Sequence, residues 1–361
     1  MKKGFLVYVA IGPKYDPLLL DYSNHAKKSL SNFESVLITD HPARYRDFQG
    51  KIIHYSRSNR ISKTMKTLVK KRPELTSYSK GYWFLTFERL LALEQLVDLM
   101  SEDDFLIHLE SDVLTLMTNK FVDHLCENET HWAFAPFANN LASAAFVYVP
   151  NLGALVSGLD KLHILASEKE HFQTWSIDME LMRDYLETGD VRILPSEVNL
   201  DHEKNILPYQ NQFDVKKQRY LFDSGDLGAY LFGRNSVYSK GKVSAGHRYE
   251  HIKWPIQESF WILRSEALNQ HLVLSMQIQE IDFDIPYLHI VSKLNLVKDD
   301  YLLLKQLFPL DTSINIINFP QSGIQVQSRH SKLDSFRVRV RLKLRFLIRE
   351  CLNMIKPKNI G

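Results

Sequence analysis

Five short apolar runs, at residues 5–11, 35–39, 51–55, 105–109 and 132–137, restrict the fold of this chain more than any other feature. Each has the length of a strand and is too short for a packed helix. Val36-Leu37-Ile38-Thr39-Asp40 stops at His41-Pro42, a turn signal at the carboxyl end of a strand. Between residues 82 and 100, Phe84, Phe87, Leu90, Leu91, Leu93 and Leu96 recur at helical spacing, with Glu88, Arg89 and Glu94 among the polar positions. Strands separated by helices predict an α/β fold: a mostly parallel sheet flanked by helices on both faces. Such sheets bind ligands beyond the carboxyl ends of their strands. Neither a Gly-x-Gly-x-x-Gly nor a phosphate-loop motif occurs, which argues against an ordinary dinucleotide or ATP site.

Past residue 140 the pattern changes. Strands are expected at 144–150, 191–194 and 277–281, and helices at 152–167 and 178–187. Residues 199–250, rich in Asn, Asp, Gly, Tyr and Gln, read as long ordered loops, and 286–293 as a further segment.

Composition narrows the class. The 361 residues are 45% hydrophobic and 24% charged, enough to bury one large core or two fused ones. Cys126 and Cys351 form no disulfide framework and lack metal-ligand spacing, which fits a reducing cytoplasm. The basic start Met1-Lys2-Lys3 followed by the run at 5–11 imitates a leader, but the run ends at Gly12-Pro13-Lys14 and reads as a buried first strand. No run approaches the roughly 18 apolar residues of a spanning helix.

The net charge of +3 conceals an asymmetry. Residues 329–361 hold ten Lys or Arg against Asp334 and Glu350, a local +8, while the rest carries 35 basic and 40 acidic side chains. In 336–346, cationic and apolar residues alternate without a break, a period that favours a strand, although a helix could continue from 347. The expected partner of this tail is an anionic membrane surface, with the protein cytoplasmic and peripheral at the inner face. The acidic body gives no support for nucleic acid.

The strongest chemical signal is Leu109-Glu110-Ser111-Asp112. Two carboxylates appear where an apolar run stops, and two residues apart on an extended chain they point the same way. Hard oxygen ligands of this kind suit Mn²⁺ or Mg²⁺. Strand, long helix with Glu88-Arg89, and then this acidic pair resemble the GT-A-fold, Rossmann-related glycosyltransferases, especially bacterial enzymes of surface-polysaccharide assembly, over roughly residues 4–295. The family's Asp-x-Asp motif, which coordinates the metal bridging a nucleotide-sugar diphosphate, would fall here, with Glu110 in place of the first Asp and Asp112 retained.

Ile285-Pro286-Tyr287-Leu288-His289-Ile290-Val291-Ser292-Lys293 is similar to a Leu-His-Ile-His-Ser-Lys segment late in such domains. The resemblance implies His289 as a metal ligand and Lys293 on the diphosphate. The second His of the pattern is Val291 here, so its role does not transfer. Gln173-Thr174-Trp175-Ser176-Ile177-Asp178-Met179-Glu180 matches the helix start at which inverting members place a general base, Asp178 or Glu180. Phe222 to Gly233 resembles the Asp-Gly-rich segment that follows the acceptor region. Tyr82, Trp83, Trp175 and Trp254 are candidates to stack on a sugar or uracil, and Arg89 to add charge on the donor.

These matches imply transfer of a sugar from a nucleotide diphosphate sugar to an acceptor hydroxyl, in lipopolysaccharide or capsule assembly. The acceptor would be a saccharide or lipid-linked saccharide. The expected organisation is a catalytic domain over 1–300, with a nucleotide-sugar half to about 140 and an acceptor half to 300, then an extension over 301–361 ending in the basic tail. Inversion and retention both stay open. Rival readings are an inactive carbohydrate-binding or membrane-recruited assembly protein and a metal-dependent nucleotidyltransferase. The latter is weakened because only Gly12-Pro13-Lys14 stands where a Gly-rich basic loop would be needed.

Overall fold

A computed structural model describes residues 2–13, 16–77, 81–137, 141–194, 196, 220–223, 260–266, 271–278, 281–289, 315–318 and 325–326. The tail at 329–361, Lys293, Trp254 and nearly all of 199–250 lie outside these residues.

The first body is a seven-stranded sheet. Its strands are β1 Gly4–Ala10, β2 Glu34–Thr39, β3 Lys51–His54, β4 Phe105–Leu109, β6 Trp132–Phe137, β7 Leu141–Val149 and β8 Val191–Ile193. Their order is β3-β2-β1-β4-β7-β6-β8, with β5 (Val113–Thr115) set apart in a small ribbon. Pairings β3/β2, β2/β1, β1/β4 and β6/β8 are parallel, and only those of β7 to its two neighbours are antiparallel. The mostly parallel, helix-flanked sheet expected from the sequence is therefore the observed one.

Its central strands read as nearly unbroken apolar runs because both faces are covered, while the edge strands β3 and β8 expose Lys51, His54 and Arg192. Along β1, Phe5, Val7 and Val9 enter one core, while Leu6 and Tyr8 enter the other. Helices α2 Asn59–Lys71, α3 Tyr82–Leu91, α5 Leu152–Glu168 and α6 Ile177–Glu187 cover the first face, and α1 Pro17–Ser29 and α4 Asn119–Asn128 the second. Side chains cap most helix starts: Asp16 accepts from Leu18 N, Ser58 from Ile61 N and Asn151 from Ala154 N.

Two expectations change. The helical spacing over 82–100 is α-helical only to Leu91 and continues as a 3-10 turn over Ala92–Leu96. The single strand expected at 277–281 is the meeting point of two, β10 His271–Ile278 and β11 Ile281–Ile285, with Ile278 opposite Ile281. They belong to a five-stranded antiparallel sheet with β9 Phe260–Glu266, β13 Asn315–Asn318 and β14 Gln325–Val326, in the order β11-β10-β9-β13-β14. A strand exists through its partners, so a short window of sequence misplaces its ends.

One small pairing positions the site. β12 (Tyr287–His289) lies antiparallel to β5, with His289 opposite Val113 and Tyr287 opposite Thr115. Leu116 N donates to Pro286 O at 2.8 Å. Tyr287 is buried flat against Phe146, with ring centroids 5.1 Å apart and 4° between planes.

Candidate metal centre and acid/base site

Sheet order reverses at β1: β2 and β3 lie on one side, β4 and β7 on the other. The carboxyl ends of β1 and β4 thus flank a switch point, where open α/β sheets bind ligands. Three local structures meet there. After β1, the chain passes Gly12 (φ 101), whose N–H donates to Asp40 Oδ2 at 2.9 Å beyond the end of β2. Asp16 caps α1 and accepts from the Ser111 hydroxyl. Ser111 sits between the two acids that follow β4, so this bond crosses the switch point and ties the acidic turn to α1.

The acidic pair is not held as extended strand. β4 ends at Leu109, and residues 110–113 turn, Val113 N donating to Glu110 O at 3.2 Å. Curvature, not strand alternation, aims both carboxylates at β12. His289 Nε2 lies 3.3 Å from Asp112 Oδ1 and 3.5 Å from Glu110 Oε2. One ligand atom from each of the three residues falls within a 4.8 Å cluster. The His289 amide donates to Asp223 Oδ2 at 2.7 Å. Burial alone would lower the His289 pKa, but Asp112, Glu110 and Asp223 outweigh it and raise it to about 9. Without a cation the imidazolium therefore carries the positive charge this acidic cluster needs. Two carboxylate oxygens and an imidazole nitrogen are a donor set that suits Mn²⁺, with Mg²⁺ a harder alternative, leaving further positions for phosphate or water. The residues fit a divalent ion.

Asp178 and Glu180, indistinguishable by sequence, differ sharply. Both are buried in the first turn of α6. Glu180 is occupied: it accepts from Gln173 N at 3.0 Å and from Thr174 N, with Lys169 Nζ at 3.5 Å. It fastens the segment before α6. Asp178 has a buried Oδ1 with no hydrogen-bond partner. Burial and then the charge of Glu110 push its pKa up to about 7, against hydrogen bonding from Thr86 and helix amides. Of the two acids, Asp178 is the one coupled to the cluster.

Arg89 on α3 is half-buried, 6.0 Å over the Tyr82 ring, with Nε unpartnered. Its charge reaches His108 on β4, which burial holds down to about 4 and whose Nδ1 lies 3.2 Å from Val7 O. Its neighbour Glu88 is committed elsewhere, bound by Arg57 through two 2.6 Å bonds and by Tyr55 at 2.7 Å. Tyr82 and Trp83 pack edge to face, whereas Trp175 stands exposed.

Sequence reasoning missed three groups. Asp16 carries a legible signal, since Asp-Pro followed by an apolar run is a helix start. Asp223 was visible only as part of a Gly-rich stretch. Thr86, on the buried face of α3, had no signal that sets it apart from core.

No protein-family model matches the chain, and no curated protein matches it. Solved structures do. Bifunctional IspDF from Campylobacter jejuni aligns at 10% identity over 54% of this chain and 49% of that one, with a TM-score of 0.30. Mouse xyloside xylosyltransferase 1 aligns at 13% identity over 58% and 91%, with a TM-score of 0.34. LgtC in complex with donor and acceptor sugar analogues aligns at 12% over 56% and 80%, with a TM-score of 0.35. The chain thus spans about half the length of the IspDF chain.

Proposed function

We propose that the chain is a divalent-metal-dependent glycosyltransferase moving a sugar from a nucleotide diphosphate sugar to an acceptor hydroxyl. The convergence of Glu110, Asp112 and His289 within 4.8 Å at the switch point carries this reading, with a buried, protonatable Asp178 coupled to it. Mn²⁺ or Mg²⁺, when bound, supplies Lewis-acid neutralisation of a leaving diphosphate. Glu110, Asp112 and His289 would hold it, and Asp223 fixes the backbone of His289. Ser111 locks the acidic turn to Asp16. Asp178 takes the proton of the attacking hydroxyl; a base there makes the transfer inverting. Burial raises its pKa above the ordinary carboxyl value, which makes it a better proton acceptor. Arg89 adds positive charge near the donor; the role the resemblance implies for Lys293 falls outside the described residues.

The finer reading, supported by the sequence resemblance, is a saccharide or lipid-linked saccharide acceptor of a surface polysaccharide, met at the membrane by the basic segment 329–361. No helix among the described residues is long and apolar enough to cross a membrane.

The test is turnover of UDP-, GDP- and CMP-sugars with Mn²⁺, with Mg²⁺ and in EDTA, by the parent chain and by Asp112→Ala. Transfer should require the cation and vanish in the variant. Hydrolysis or transfer that continues unchanged in EDTA, or in Asp112→Ala, overturns the reading.

A further inference from the structure

We propose that the outer faces of α2 and α5 together form a docking surface for an anionic lipid bilayer. α2 contains no acidic residue. Its inner face buries Ile61, Met65 and Leu68, and its outer face exposes Lys63, Lys66 and Lys70 at i, i+3 and i+7, a single cationic stripe.

α5 lies beside α2 and runs in the same direction. Arg60 pairs with Asp160, Thr64 Oγ1 meets His163 Nδ1 at 2.7 Å, and Lys71 Nζ donates to Ser167 O at 2.6 Å and Lys169 O at 2.8 Å. Those contacts employ the flanking cations in holding the two helices together. The three stripe lysines have no carboxylate partner among the described residues. Acids near the surface are Asp160, paired with Arg60, Glu74, paired with Arg72, Glu94 beside His163, and Glu168 and Glu170 at the far end of α5.

Apolar exposure falls on the same side. Among the described residues, the large apolar side chains that stand exposed are Val156 at 40%, Ile164 at 46% and Trp175 at 49%. Val156 and Ile164 lie two turns apart on α5. Trp175 belongs to the segment tied to the end of α2 by Arg72 Nη1 donating to Thr174 O at 2.8 Å.

Lysines alone would suit any polyanion. Aliphatic side chains and an indole beside them favour a bilayer, where Lys meets anionic headgroups while Val, Ile and Trp enter the headgroup–acyl boundary. Nucleic acid can stack on an exposed indole, but it offers no continuous apolar layer for Val156 and Ile164 to enter. Trp175 stands three residues before Asp178, so a docked face would bring the lipid surface to the rim of the candidate site. The surface itself stands independently of the catalytic reading and of the segment 329–361.

The test uses the full chain, tail included, in co-sedimentation with phosphatidylcholine vesicles with and without phosphatidylglycerol. K63Q/K66Q/K70Q should lower partitioning onto the anionic vesicles by about 10²-fold, roughly fivefold for each lysine. These exposed changes should leave thermal melting unaltered. Anionic vesicles should shift the tryptophan emission of the parent to the blue, and Trp175→Phe should remove most of that shift. Equal partitioning of parent and triple variant overturns the proposal and hands binding to the segment 329–361. So do equal binding to neutral vesicles, and tighter lysine-dependent binding to double-stranded DNA than to anionic vesicles.

Discussion

Asp178→Asn should make the folded chain more stable and less active, and only above a defined pH. Burial and Glu110 hold the Asp178 carboxyl at about 7, against an ordinary 3.8. Between those values the folded chain keeps a proton that the unfolded chain has released. Native stability therefore falls as pH rises through the window, and the loss is complete above pH 7. A gap of about 3 pH units at 1.36 kcal/mol each gives about 4 kcal/mol. Asn has the same shape and no charge, so its advantage is near zero below pH 4 and reaches about 4 kcal/mol by pH 8. Urea unfolding of both proteins in EDTA at pH 4.5, 6 and 7.5 reads this directly as a growing separation of midpoints. Transfer by the variant should meanwhile drop by about 10²–10⁴. The parent rate should climb with pH and then level, because the base works ionised. A pH-independent midpoint difference, or a variant less stable than the parent at pH 7.5, refutes the reasoning. Asp178 would then be ionised and paired in the folded chain.

Asp223→Ala removes the acceptor of the His289 amide and should weaken Mn²⁺ binding by about 10–100-fold in calorimetry, with the fold retained. Arg57→Ala leaves the buried Glu88 carboxylate with Tyr55 as its one remaining side-chain partner among the described residues and should destabilise the chain by about 2–3 kcal/mol in denaturant unfolding. Gly158→Ala would drive a Cβ into the Trp132 indole, which donates to Ala154 O. It should lower stability by about 1–3 kcal/mol through overpacking, read as a drop in melting temperature.

Much of the central sheet was legible because its strands are buried on both faces. Such strands are apolar at nearly every position, so Phe105–Leu109, His108 apart, and Trp132–Phe137 announce themselves without knowledge of their neighbours. The acids after β4 were legible for the related reason that an abrupt end to an apolar run marks where chain reaches solvent. Elsewhere the residues alone were silent. β9, β13 and the true ends of β10 depend on cross-strand pairing, which short-range periodicity does not encode. From residues alone, Asp178 and Glu180 are two acids in one helical turn. Tertiary structure turned one onto backbone amides and Lys169 and left the other buried beside the charge of Glu110. His289 needed a resemblance to be noticed at all. It reaches Asp112 only because β12 pairs with β5, and the coupling that raises the His289 pKa depends on that 3.3 Å distance. Charge interactions depend on separation in space and on burial, and neither is a property of position along a chain.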